Sequence, residues 1–468
     1  MTMRLAIALT LGTTLLAADW PRYRGPNGDG VSAEKNLPAE IGVEKNVVWK
    51  TATLKGHSSP IVVGGRVLFT GWEGDERAVL CYDAAKGTQL WRKGITKSRT
   101  ETAHPLNGPT TPSLATDGKI VFAFFPEFGL LAYDLDGKEL WRTPVGPFGA
   151  IQGMATSPVY ADGLVMLLID TPEEAWLRAY EAKTGKEKWK VERPVGVLGS
   201  YATPSLYKPA NGPLQLIVSG AVELTGYQVR TGERLWWARG VTYGPAALPL
   251  VAGDSVYTTE PAGDLGQPFA ATIKPYDKDQ SGTIELAELG DSVPHRIMHR
   301  LFSAIDKHYG NKDGVVTQKE FDTAFDPSRP GGGLVRVRLN GKGDVSTTHV
   351  AWRHTKGLPY VTAPVLLEGV LYSVRNGGIL STFDAESGKL LREARLKDAP
   401  GDYYASPVAA DGKIYFFSKD GKATVVKAGP DWESISSAEL NEQIIATPAI
   451  AGGRLYVRTA GHLYCFGS

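Results

Sequence analysis

Residues 277–288 read DKDQSGTIELAE, and the groups able to do chemistry fall at fixed places in that frame. Asp277, Asp279 and Ser281 take the first, third and fifth positions, and Gly282 the sixth, where the backbone must turn sharply. Thr283 offers its carbonyl at the seventh and Ile284 an apolar contact at the eighth. Glu285 stands at the ninth, within reach of an ion through water, and Glu288 at the twelfth with a bidentate carboxylate. A hard divalent cation wants several oxygen ligands with carboxylates among them, so the spacing predicts bound calcium.

Loops of this kind work in pairs, and a second follows. SVPHRIMHRLFSAID sets Val293, Ile297, Met298, Leu301, Phe302 and Ile305 on one helical face. NKDGVVTQKEF then supplies Asn311, Asp313, Gly314, Val315 through its carbonyl, Val316 and Glu320, with Thr317 and Glu320 forming a capping box. Counting back from Gly314 puts Tyr309, no calcium ligand, in first place; Asp306 takes that place if three residues bulge out. The second loop is therefore either a distorted calcium site or a silent structural partner. NGDG at Asn27 lacks ligands at both loop ends and reads as a turn.

These loops interrupt a β-rich chain of 468 residues. A motif of Ser, Thr or another small residue, then proline, an apolar run, glycine and a β-rich run, recurs at Pro60, Pro112, Pro158, Pro204, Pro249, Pro364, Pro407 and Pro448. The spacings are 52, 46, 46, 45, 115, 43 and 41; removing the 68 residues 264–331 brings the outlier to 47. A second strand pair around an acidic-glycine turn ends in Trp91, Trp141, Trp189 and Trp236, with Arg392 in the sixth copy, and Trp237 stands outside the pattern. Units of four short strands cannot bury both faces alone, so they stack radially. The eighth unit has three strands, and NVVWK with Trp49 is expected to supply its fourth and close the ring.

The repeats CYDAAKGTQLW, AYDLDGKELW, AYEAKTGKEKW and GYQVRTGERLW resemble the tryptophan-docking repeats of the pyrroloquinoline-quinone (PQQ)-like β-propeller family, and DWPRYRGPNGDGVS resembles the start of its exported bacterial members. The expected fold is all-β, an eight-bladed propeller carrying an α-helical EF-hand pair inserted in blade five. The expected division is a signal peptide 1–18, an arm 19–45, propeller 46–263, EF-hand pair 264–331 and propeller 332–468. The insertion joins strands two and three of its blade. The resemblance implies that this connection shares a face with the links between blades, where ligands commonly bind. Those links carry His57, His104, Gln152, Tyr201, Tyr243, Tyr360, Asp402, Tyr403, Tyr404 and Gln443, a set suited to a protein, peptide or saccharide ligand.

Acidic and basic residues number 50 and 51, which gives no polybasic surface for nucleic acid. Arg4 followed by the apolar run Leu5–Ala17 reads as a secretory signal, hence export to the periplasm or medium, and no later segment is long enough to span a bilayer. Cys81 and Cys465 occupy equivalent repeat positions and read as buried thiols. The resemblance also admits a PQQ-dependent dehydrogenase of alcohols or sugars. Its cofactor would need a calcium held by the propeller and a catalytic Asp, and no Asp-Glu-Asn set stands in the links. The reading favoured by the sequence is a calcium-binding scaffold with no assigned catalytic residue.

Overall fold

A computed structural model describes residues 19–150, 152–172, 174–194, 199–261, 268–324 and 331–468. The expected signal peptide lies outside the described residues, as do 262–267 and 325–330 at the joins of the expected insertion.

Eight antiparallel sheets form the blades of a propeller. Each begins with a short inner strand, such as Ile61–Val63, and passes through two longer strands to an outer one. The middle strands sit between neighbouring blades and are buried on both faces, so they read as unbroken apolar runs; Leu164–Asp170 is buried throughout. Outer strands such as Glu187–Glu192 alternate between exposed and half-buried residues because only one face meets a neighbour. In the eighth sheet Val47–Ala52 pairs antiparallel with His462–Gly467, the expected closure.

The tryptophans fasten blade to blade. Trp49 donates its indole N–H to the Ala84 carbonyl at 3.1 Å, and Trp91, Trp141, Trp189 and Trp352 repeat this with Leu135, Ala182, Val229 and Ala385. Each ring lies on the glycine of the next blade's turn. A Cβ at Gly87, where φ is +70°, would come within 2.5 Å of Trp49. Only glycine tolerates both that backbone and that approach. Trp236 departs from this scheme. Blade five has no such turn, because its last connection sends Gly343–Asp344 alongside Trp236 and Trp237, and the Trp236 N–H turns to Gln215 Oε1 at 2.9 Å.

The inner rim explains the recurring Ser and Thr beside the prolines. The backbone N–H groups of Ser59, Ser113 and Ser157 donate to the hydroxyls of Ser113, Ser157 and Thr203, one blade on. Ala363, Ser406 and Thr447 continue to Ser406, Thr447 and Ser59, the last bond crossing the seam between blades eight and one. Between blades four and six this pattern is interrupted, and there Tyr23 packs on Ala247, Leu248 and Ala363.

Tyr23 belongs to the N-terminal arm, which fills the axial channel. Trp20 bridges Val62, the Pro21 carbonyl accepts from Thr116, and Val31 bridges Ala409, all on innermost strands or their turns. Arg24 is fully buried and donates to the carbonyls of Asp29, Pro364 and Pro407. Asn27–Gly30 is the turn expected there. The arm then crosses the turns of blades seven and eight, Glu34 accepting from the N–H groups of Gly452 and Gly453, and becomes the closing strand. Both cysteines are free and buried, and burial pushes their thiols up to about 12 (Cys81) and about 11 (Cys465).

Candidate functional site

Between the second strand of blade five, Ser255–Thr258, and the third, Leu334–Arg338, the chain builds a small helical module. Helices α1 (Phe269–Ile273), α2 (Val293–Tyr309) and α3 (Gln318–Ala324) enclose Phe269, Ile284, Leu301, Phe302, Ile305, Val316 and Phe321. Ile284 pairs with Val316 and Glu285 with Val315, so a short strand pair joins the two loops.

In the first loop the carboxylates turn inward. Asp277 accepts from Ser281 and Gly282 N–H at 3.1 Å each, Asp279 from Ser281 N–H at 3.0 Å, and Glu288 reaches back to Lys278, Asp279 and Glu285 N–H. Asp277, Asp279 and Glu288 bring oxygens within 4.8 Å of one another, close enough to share one cation. The Thr283 hydroxyl contacts Ser281 at 3.0 Å, and the Gly282 φ of +78° gives the turn. This donor set fits calcium.

The second loop repeats the pattern from Asp306. Its carboxylate accepts from Lys312 N–H at 2.7 Å and Gly314 N–H at 3.0 Å, the same glycine bond that Asp277 makes. Asn311 accepts from Asp313 N–H, Asp313 from Val315 N–H, and Glu320 from Asn311 and Thr317 N–H. Asp306 thus stands where Asp277 does, with three extra residues bulged out before Asn311. Among the described residues its acids form no cluster as tight as the first loop's.

The bulge touches the propeller. Lys307 pairs with Glu192 on the outer strand of blade three. Tyr309 lies under the Arg239 guanidinium at 5.7 Å, and Arg239 donates to the Thr323 carbonyl at 2.7 Å. Beneath this contact runs a buried charge network missed in the sequence. Arg193 donates to the Tyr227 hydroxyl at 2.6 Å and faces Asp170 at 3.8 Å, while Arg234 holds Glu223. Burial raises Asp170 to about 6 against the pull of Arg193, and raises Glu223 as well. The available signal was one acid closing each otherwise apolar run, LVMLLID and SGAVE.

At the base of the module the chain leaves and returns through one backbone pair, Glu260 with Gly333. The Glu260 carboxyl is buried, accepts from Gly244 N–H at 3.0 Å, and is pushed up to about 7, chiefly by burial. Tyr243 lies beside it and packs on the module's core.

The other link residues divide. Strand order puts the links and the second-to-third connections on one face of the propeller. There Tyr360, 62% exposed, comes near enough to Tyr201 and Tyr404 to add to the upward push that burial exerts on both hydroxyls; Asp402 acts likewise on Tyr404. His104 and Gln152 are exposed together, joined by a 3.1 Å backbone bond between blades two and three. Gln443, in the link into blade eight, is exposed between half-buried Glu442 and buried Ile444. His57 is half-buried, its pKa lowered to about 4 by burial and then by Arg458. Tyr403 does not belong on this surface: it is 1% exposed and donates to the Ala399 carbonyl at 3.1 Å, inside the core of blades six and seven. Sequence spacing cannot tell which of two adjacent tyrosines points inward.

The architecture defines a tryptophan-docked, eight-bladed propeller with a plugged channel and a module seated on its link face. The chain belongs to the family whose profile is described as outer membrane protein assembly factor BamB, which matches residues 42–149, 104–268 and 342–467. No curated protein sequence matches. Among solved structures it is similar to BamB from Moraxella catarrhalis (12% identity, TM-score 0.55, 90% of this chain and 98% of that one). It is also similar to a europium-containing methanol dehydrogenase (12%, 0.60, 96% and 98%) and to the quinohemoprotein alcohol dehydrogenase of Comamonas testosteroni (11%, 0.59, 96% and 81%). Identities this low establish the fold. No helix among the described residues is long and apolar enough to cross a membrane.

Proposed function

We propose that this protein is an exported, calcium-binding scaffold that holds a polypeptide on the link face of its propeller. The observation that carries this reading is the gathering of Tyr201, Tyr360 and Tyr404 beside Asp402 on the face that bears the docked module, over a channel filled by the protein's own arm. Tyrosines supply broad contact area and hydroxyl donors at low entropic cost, which suits an extended chain. The relatives described as outer membrane assembly factors support a polypeptide ligand. Calcium is held in this reading by an inserted EF-hand pair: Asp277, Asp279, Ser281, the Thr283 carbonyl, Glu285 through water and Glu288, and in the second loop Asp306, Asn311, Asp313, the Val315 carbonyl and Glu320. The ion orders the module rather than signalling, since calcium is plentiful outside cells.

The dehydrogenase reading has less support. Among the described residues the one acidic cluster tight enough for an ion lies in the module, and none gathers on the propeller face to hold a metal against a quinone. The test is to add PQQ and calcium to the purified protein, record the spectrum and assay dye reduction with alcohols and sugars. In parallel, wild type and the Tyr360→Ala/Tyr404→Ala variant are titrated with a library of extended peptides. The expected outcome is no dye reduction, and peptide affinities at least about tenfold weaker in the variant. Alcohol- or sugar-dependent turnover, or peptide binding that ignores both tyrosines, overturns the proposal.

A further inference from the structure

The arm bonds to the inner edges of the ring on one side only. On blade one the Val62 N–H and carbonyl bond to Trp20 at 2.9 and 2.8 Å, and on blade seven those of Ala409 bond to Gly30 and Ser32 at 2.8 and 2.9 Å. Both residues stand in the middle of an innermost strand, opposite Val67 and Ile414, and both turn their main-chain groups to the axis. On blade two the Thr116 N–H donates to the Pro21 carbonyl at 3.0 Å. The arm thus gives each of these edges a residue, and Val62, Thr116 and Ala409 are buried beneath it.

Tyr160, Leu206, Val251 and Leu366 hold the same place on blades three to six, opposite Val165, Leu216, Val256 and Leu371. The shared register turns their N–H and carbonyl groups to the axis as well. None of these groups finds a partner among the described residues, and all four residues are half-buried rather than buried. Toward blades five and six the arm reaches only the residues ahead of those strands, Tyr23 packing on Ala247, Leu248 and Ala363, and Arg24 donating to the Pro364 carbonyl. An unpaired strand edge is a template for a further backbone. Arg22 adds a charge. It is buried, donates to the Pro26 carbonyl, and among the described residues has no carboxylate at ion-pair distance. A Cβ at Gly28 would lie 3.6 Å from its Nη2 and 3.8 Å from Leu248, which puts the guanidinium on the blade-five side. A buried cation without a counter-charge is unfavourable, and an incoming carboxylate offsets that.

We infer that the bare inner edges of blades three to six are a docking site for an extended, acidic segment of a partner polypeptide. The segment bridges them one residue per blade, as the arm does on the other side, and sets a carboxylate against Arg22. The site lies inside the ring, apart from the tyrosines of the link face.

For the test, phage displaying random dodecapeptides are panned on the full-length protein. Recovered peptides are titrated by fluorescence anisotropy against wild type, Arg22→Gln, Leu206→Pro, Val251→Pro and the Tyr360→Ala/Tyr404→Ala variant. Each proline removes only an N–H without a partner, on a strand edge, so both proline variants should melt within about 3 °C of wild type. A class of peptides carrying Asp or Glu is expected. Its affinity should fall at least about tenfold in Arg22→Gln and about fivefold in each proline variant, and hold in the tyrosine variant. Its binding should also slow hydrogen exchange over the strands Ser205–Tyr207 and Leu250–Ala252. If the proline variants unfold, Arg22→Gln and the exchange map decide. Absence of such a class, or acidic peptides that ignore Arg22 and protect neither strand, overturns the inference. Peptides that need the tyrosines instead belong to the link face, so the two proposals fail separately.

Discussion

Glu288 and Glu285 are three residues apart in one loop and do different work. Glu288 closes the loop by accepting three backbone N–H groups, whereas Glu285 contributes its backbone to the strand joining the loops. Glu288→Gln removes a bidentate charge and should weaken calcium binding by about tenfold or more; Glu285→Gln, one water removed from the ion, should cost about threefold. Calorimetric titration of both separates them, and equal losses would count against the assignment. Glu260 carries a pH dependence. Its folded-state pKa is raised to about 7, above the ordinary 4.5, so the folded protein holds a proton that the unfolded chain has released. Stability from this group is fully present below pH 4.5 and lost as pH rises through 7, a change on the order of 2–3 kcal/mol. Glu260→Gln, which cannot ionise, should flatten the fall in melting temperature between about pH 5 and 8. A slope unchanged by the substitution would mean that the proton is held elsewhere.

At the scale of the element, the second loop's departure from the regular pattern acquires a physical reason. The three extra residues that displace Tyr309 from a ligand position form the foot by which the module stands on blades three and four. The Lys307→Ala/Tyr309→Ala variant should release the module: hydrogen exchange in α2 and α3 would rise by about tenfold while the blade strands stay protected. Protection that persists would show the foot to be incidental. Tyr309→Phe should be nearly neutral, because the hydroxyl it removes is buried without a partner. The repeats and the closing strand were legible because each leaves a periodic mark: a proline, a glycine turn, a tryptophan. Asp306 as the first residue of the second loop was legible only as one of two alternatives, since a bulge leaves no mark in composition. The inward turn of Tyr403 was not legible, because it depends on which neighbouring blade the side chain meets.

For the whole molecule, the seam between blades eight and one is closed twice, by the Thr447–Ser59 bond inside and by Val47–Ala52 outside. Deleting residues 19–52 removes the outer closure and the channel plug together, and should lower the melting temperature by on the order of 10 °C or more. A truncated protein that melts with the full-length one would refute this account of closure. That the arm returns to the surface by way of the channel could not be read from the sequence, where 19–45 is a polar stretch with no period. The arm also sets the order of events as the chain is made. Thr447 bonds to Ser59 across 388 residues, and Arg24 to Pro407 across 383, so these contacts must wait until nearly all the chain has emerged. Local hairpins can form early, and Trp20 and Pro21 can already meet blades one and two, but Arg24 and Glu34 complete their bonds only when blades seven and eight exist, so the ring closes last. A chain stalled before its last blade should therefore remain open to proteases along its whole length. If the protein is exported as proposed, a late and single moment of closure would keep the chain threadable until its passage through the membrane is complete.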